Sequence, residues 1–214
     1  MSHSPFVGRG GLKLQHALAE FHLDPAGLTC ADFGANIGGF TDCLLRAGAA
    51  RVYAVDTGYG TLAWTLRQDP RVTVLERTNA LHAPPPVPPT SAAAAEVSAT
   101  NAPILMDLIA IDLGWTPQRH AIPAALRWLK PGGCIISLIK PHYELHPDER
   151  ALLKDGVLDE PDAQRIAQRT ADALPALGVR LLGLTRSPIA GGAGKGNRRG
   201  NTEWLALLAP GPGT

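Results

Sequence analysis

Leu28-Thr-Cys-Ala-Asp-Phe-Gly-Ala-Asn-Ile-Gly-Gly-Phe-Thr-Asp-Cys-Leu-Leu45 decides the fold. Residues 28–33 form a short apolar run bounded by turn residues, the pattern of a buried strand. The run ends in the glycine-rich turn of residues 34–39. Residues 40–47 then follow helical spacing and stop at Gly48. A strand that turns through glycines into a helix is the opening of a parallel α/β sheet.

The same rhythm continues outward in both directions. Leu14, Ala17, Leu18 and Phe21 predict a helix beginning after Gly10-Gly11. Downstream, residues 51–55 predict a strand ending at Asp56, 62–68 a short helix, and 72–75 a third strand. Residues 105–111 are a strongly apolar strand ending at Asp112. A helix is expected around 122–129, a turn at Lys130-Pro-Gly-Gly133, and a strand over 134–139 ending at Lys140-Pro141. Residues 162–177 predict a helix entered through Pro161, and 180–185 and 203–208 read as closing strands. Between them, residues 83–103 hold Pro84, Pro85, Pro86, Pro88 and Pro89 and the run Ala92–Ala95. This low-complexity stretch is expected to be an inserted surface loop, because the sheet resumes after it. The expected architecture is one α/β domain over 1–214, with helices on both faces of a mostly parallel sheet.

Composition narrows the function classes. The chain has 214 residues, 45% hydrophobic and 18% charged, enough for a real core and unlike a disordered chain. No uninterrupted apolar run of about 20 residues exists to span a membrane, and the N-terminus has no apolar signal-type segment. Three scattered cysteines, Cys30, Cys43 and Cys134, argue for buried thiols in a reducing cytoplasm rather than a disulfide scaffold. The net charge is +1, but no acid lies between Asp172 and Glu203, where Arg180, Arg186, Lys195, Arg198 and Arg199 fall. That distribution suits either a surface facing a polyanion or an ordinary solvated one.

Polar residues gather at the expected strand ends: Asp32 with Gly34, Asp56, Asn79, Asp112 and Lys140. Ligands of open α/β sheets sit beyond those ends. Asp56 lies 22 residues after Gly34, where an acid can accept from ribose hydroxyls. The turn Gly34-x-x-x-Gly38-Gly39 is not the G-x-G-x-x-G dinucleotide fingerprint. A nucleoside-type ligand without a pyrophosphate, such as S-adenosylmethionine, fits it at least as well.

These residues resemble a known family. Arg9-Gly-Gly-Leu-Lys-Leu14, Asp32-Phe-Gly-Ala-Asn-Ile-Gly-Gly-Phe-Thr-Asp-Cys-Leu-Leu45, Val52-Tyr-Ala-Val-Asp-Thr-Gly-Tyr-Gly60, Leu75-Glu-Arg-Thr-Asn79, Leu129-Lys-Pro-Gly-Gly133, Ile139-Lys-Pro-His-Tyr-Glu144 and Asn201-Thr-Glu-Trp204 are similar to the FtsJ-like RNA methyltransferases, in the branch called TlyA or hemolysin A. The resemblance implies a Rossmann-like S-adenosylmethionine-dependent methyltransferase fold and 2′-O-methylation of ribosomal RNA. It implies a catalytic tetrad of Lys13, Asp112, Lys140 and Glu203. For the cofactor it implies Asp32, Gly34, Ala35, Gly38, Gly39, Phe40 and Thr41 in the first turn, Asp56 for the ribose, Asn79 near the adenine, and Asp112.

In that scheme Lys140 is the base or the group nearest the 2′-oxygen, and Asp112 orients it. Lys13 and Glu203 complete an alternating charge cluster, or Lys13 holds a phosphate. Two other readings stay open, a methyltransferase with a different acceptor and a non-enzymatic RNA-binding module. Trp115 and Tyr143 are candidates for stacking on a base. Arg198 and Arg199 are candidates for phosphate contacts. His142 and His146 flank Glu144, but no further ligand stands at a zinc-like spacing, so no metal is expected. Family members commonly carry an S4 RNA-binding domain ahead of the first motif. Only twelve residues precede Lys13 here, so that domain is expected to be absent, and recognition is expected to rest on the catalytic domain, on an accessory partner in its place, or on a different RNA. The segment Leu113-Gly-Trp-Thr-Pro-Gln118 departs from the family pattern.

Overall fold

The computed structural model describes residues 4–88, 102–192 and 200–212. In chain order the elements are α1 (Gly10–Glu20), β1 (Thr29–Phe33), α2 (Gly39–Arg46), β2 (Arg51–Val55), α3 (Trp64–Arg67), β3 (Val72–Leu75), β4 (Met106–Ile111), α4 (Gln118–Leu126), β5 (Leu129–Ile139), α5 (Glu160–Ala173), β6 (Val179–Arg186) and β7 (Trp204–Pro210). The strands form one sheet in the order β3-β2-β1-β4-β5-β7-β6. Neighbours are parallel from β3 through β5, and β7 runs antiparallel between β5 and β6.

Strand periodicity divides the core into two layers. Cys30, Val52, Ala54, Leu108, Ala110, Ile136, Leu138, Leu205 and Leu207 pack on one face with Leu14, Ala17, Phe40 and Leu44 of α1 and α2. Their neighbours one residue on, such as Ala31, Phe33, Val55, Ile109, Ile111, Ile135, Ala206 and Leu208, face the other way. That second layer holds Ala121, Ile122 and Ala125 of α4, and Ile166 and Ala167 of α5. Fully buried Trp128 seals it, edge-on to Phe33 with centroids 5.1 Å apart and its indole N–H on the Ala83 carbonyl. The helices therefore cover both faces because every central strand is apolar on both.

Two expected elements shift. The helix expected at 122–129 begins four residues earlier, at Gln118, and Pro123 lies inside it. Pro117 offers no capping side chain, and the Glu144 carboxylate, distant in sequence, accepts from the Gln118 N–H instead (2.7 Å). The Lys130–Gly133 turn is absorbed into β5. Met106 pairs with Leu129 and Leu108 with Cys134, so the turn bulges out of the strand opposite Asp107, whose carboxylate holds Lys130. Of the proline-rich insertion, the two stems approach each other, with Ile104 N–H donating to the Pro86 carbonyl. Residues 89–101 lie outside the described residues. No helix among the described residues is long and apolar enough to cross a membrane.

The sheet order fixes where a ligand can sit. Successive strands leave β1 in one direction, to β2 and β3, and from β4 they proceed in the other, to β5. The order reverses between β1 and β4, which opens a crevice at their carboxyl ends.

Candidate active site

Two cavities lie along that edge. The larger, about 670 Å³, is lined by the turn after β1, by Asp56 and Thr57 after β2, by Thr78 to Leu81 after β3, and by Asp112 to Thr116 after β4. Gly8, Arg9 and Gly10 close it from the N-terminal side, and Lys140 reaches it from β5. Its size suits a nucleoside-sized ligand.

The β1–α2 turn shows why glycine is needed. Gly34 sits at φ 92°, and a Cβ there would lie 2.7 Å from the Asp112 carbonyl. Gly39 abuts the N-terminal segment, where a Cβ would stand 2.8 Å from the Gly11 nitrogen. The turn is held from behind. The Thr41 N–H and hydroxyl both donate to Asp32 Oδ2 (2.9 and 2.7 Å). Asp32 has no exposed surface, and burial pushes its carboxyl up to about 7, opposed by the Thr41 hydroxyl. Of the expected cofactor residues, Gly34, Ala35, Gly39, Phe40, Asp56, Asn79 and Asp112 line the cavity. Asp32, Gly38 and Thr41 do not; they stand behind its wall. Asp56 accepts from the Asn36 N–H and the Gly58 N–H, one on each oxygen (both 2.7 Å). Each oxygen keeps a further acceptor site.

The second cavity, about 210 Å³, is lined by Lys13, Asp112, Lys140, His142, Tyr143, Asn201 and Glu203, with Gly191 and Gly192. All four residues of the expected tetrad meet there. Lys13, a solvated-looking position in the sequence, is buried in α1, and its Nζ lies 2.5 Å from Glu203 Oε2. Glu203 arrives because β7 is antiparallel: its first residue, Trp204, pairs with Ile139 at the end of β5. Burial pushes the Glu203 carboxyl up, and Lys13 pulls it back. Lys140 Nζ lies 2.5 Å from Asp112 Oδ1 and donates to the Leu113 carbonyl (3.0 Å). Two opposite-charge pairs thus face one space. Asp112 and Lys140 line both cavities and form their common wall.

Aromatic groups border this junction. Trp115 is 85% exposed at φ 57° and packs on Tyr143 with centroids 5.1 Å apart. His142 lines the smaller cavity against Tyr143, with its Nδ1 buried and without a partner among the described residues. Burial, with Lys140 and Lys13 nearby, pushes its imidazole down to about 4, so it is neutral near pH 7. His146 stands apart, before the turn at Pro147–Leu152, its N–H on Glu149 Oε2. Arg198 and Arg199 lie outside the described residues.

The sequence reading did not single out Gly8, Arg9, Gly10 or Gln118 as site residues. The density of glycine before Lys13 was a signal of close backbone approach to something. Gln118 left none, because its partners are far away in the chain.

Comparison with known proteins gives one answer. Residues 6–195 match the FtsJ-like methyltransferase family. The protein named 16S/23S rRNA (cytidine-2′-O)-methyltransferase TlyA, from Mycobacterium tuberculosis, is 37% identical over 208 residues. That alignment covers 97% of this chain and 69% of TlyA. Hemolysin A of Brachyspira hyodysenteriae is 31% identical, over 94% of this chain and 75% of its own length. A solved structure from Streptococcus thermophilus, provisionally named a hemolysin, superposes with a TM-score of 0.80 at 33% identity. It covers 99% of this chain and 69% of that one.

Proposed function

The chain belongs to the FtsJ-like methyltransferase family, and from that premise we propose that it methylates the ribose 2′-hydroxyl of ribosomal RNA. The observation that carries the reading is the common wall: among the described residues, the nucleoside-sized cavity and the tetrad cavity share two lining groups, Asp112 and Lys140, both suited to proton handling. Residues 1–214 act as one methyltransferase unit in this reading, with the proline-rich stretch inserted in it.

The cofactor is S-adenosylmethionine, and the residues present fit it. A wall that admits no Cβ at Gly34 or Gly39 lets backbone approach closely. Asp56 would hold the ribose hydroxyls and Asn79 would face the adenine, while Gly34, Ala35, Gly39 and Phe40 form the wall between. Asp32, Gly38 and Thr41 keep that wall in shape. Bound there, S-adenosylmethionine supplies an electrophilic methyl group on a sulfonium.

The chain's own work is alignment and proton removal. Aligned reactants can contribute roughly 7–11 kcal/mol, and a positioned base about 10²–10⁴-fold. Lys140 acts as base in its neutral form: once its ammonium has released a proton to solvent, Nζ accepts the proton of the 2′-hydroxyl, and Asp112 orients Lys140 toward it. Lys13 and Glu203, paired on the opposite side, hold the ribose in register. Trp115 and Tyr143 offer a stacking face for the target base.

Label from methyl-labelled S-adenosylmethionine tests this, with ribosomal subunits, naked ribosomal RNA and total RNA as acceptors. Alkali cuts only beside a free 2′-hydroxyl. We expect an uncut labelled dinucleotide from wild type and none from Lys140→Ala, with cofactor binding retained in the variant. Label in mononucleotides would show base methylation and overturn the reading. Wild-type turnover by Lys140→Ala would overturn the role of Lys140.

A further inference from the structure

We propose that Gln118 is a positioning residue that fixes Lys140 at the junction of the two cavities. The inference rests on the assignment of Lys140 made above, and it concerns how a flexible side chain at a strand end is held.

The chain leaves β5 at Ile139, carries Lys140, and turns at once through the 3₁₀ turn Pro141–Tyr143. Gln118 holds this passage on both sides. Upstream of Lys140, the Ser137 hydroxyl donates to Gln118 Oε1 (2.6 Å), and Gln118 Nε2 donates to the Leu138 carbonyl (3.1 Å). Downstream, the Gln118 backbone N–H donates to Glu144 Oε1 (2.7 Å). Arg169 secures the same point, its guanidinium donating to the Glu144 carbonyl (2.9 Å).

The segment that ends at Gln118 also holds the lysine's tip. It begins with Asp112, ion-paired to Lys140 Nζ, and Leu113, whose carbonyl accepts from it. Its middle residue, Trp115, packs on Tyr143. Residues 112–118 and 137–144 are thus laid side by side with contacts at both ends and in the middle. The ends differ in kind. The Lys140 ion pair lines open cavity, whereas Gln118 is 3% exposed and Ser137 fully buried. A buried polar network with every member satisfied specifies one geometry more sharply than apolar packing does. Gln118 is therefore the fixed end, and Lys140 is aimed from it.

Positioning predicts a loss in turnover that a structural role alone would not produce. A displacement of about 1 Å at a reacting group can cost on the order of 10²-fold. Gln118→Met keeps length and the backbone N–H to Glu144 but deletes both carboxamide bonds. We expect its kcat for methyl transfer to fall about 10–100-fold, with the KM for RNA and the Kd for S-adenosylmethionine close to wild type. Gln118→Glu supplies the conservative rescue. When protonated, its carboxyl offers one acceptor to Ser137 and one donor to the Leu138 carbonyl; ionised, it loses the donor. Its kcat relative to wild type should rise as pH falls, while that of Gln118→Met stays level.

Lys140→Ala is measured beside them. If it is inactive while folded Gln118→Met turns over like wild type, the positioning role is overturned and the assignment of Lys140 stands. If Lys140→Ala turns over like wild type, that assignment falls, and the positioning role with it. Should Gln118→Met fail to fold, a Gln118→Glu kcat equal to wild type at every pH overturns the proposal.

Discussion

Asp32 shows how much a single residue can carry without touching a ligand cavity. It lies in β1 facing α2, and both Thr41 donors converge on one of its oxygens, leaving Oδ1 with no hydrogen-bond partner among the described residues. Burial pushes its carboxyl from the ordinary 3.8 up to about 7. The folded chain then holds a proton there that the unfolded chain releases between about pH 4 and 7. The stability this proton contributes is present below about pH 4 and is lost as pH rises through about 7. Asp32→Asn cannot titrate, so its melting temperature should fall less than wild type across that window. Melts at pH 4.5, 6 and 8 check this; parallel curves for the two proteins would show that Asp32 does not titrate there. At this scale the sequence was informative about residue type at strand ends. It reached Lys13 only through the family resemblance and gave no local sign of its burial, which depends on Glu203 arriving from 190 positions away.

At the scale of elements, the turn between β1 and α2 is where backbone and site are the same thing. Gly34 needs φ 92° and has the Asp112 carbonyl against the place a Cβ would take. Gly34→Ala should cost about 1–3 kcal/mol of stability from backbone strain. It should also weaken S-adenosylmethionine binding by at least about tenfold, a loss of about 1.4 kcal/mol, because Asp112 must move from the shared wall. Urea titration and calorimetry read the two effects separately; unchanged binding in a destabilised variant would confine Gly34 to a structural role. Most elements were legible because apolar runs and glycine punctuation are local signals. The start of α4 was not, since its cap comes from Glu144, and neither was the bulge at Lys130–Gly133, which depends on what β4 places opposite.

For the whole molecule, the cavity between β1 and β4 predicts a linkage. A ligand that binds only the folded chain stabilises it by about 2.7 kcal/mol at one hundred times its Kd. S-adenosylmethionine should raise the melting temperature in a concentration-dependent way, and Asp56→Ala should require more cofactor for the same rise. An equal response in that variant would remove Asp56 from the ribose role. The sequence by itself determined the alternation of strands and helices, the apolar faces that sandwich the sheet, the glycine turn, and the family, because each rests on residues close together in the chain. Only the tertiary structure decided that β7 runs against β5, so that Glu203 reaches Lys13, and that Gln118 grips the strand bearing Lys140. Those contacts join residues 19 to 190 positions apart, and no local pattern encodes a partner that the chain meets only after the sheet has closed.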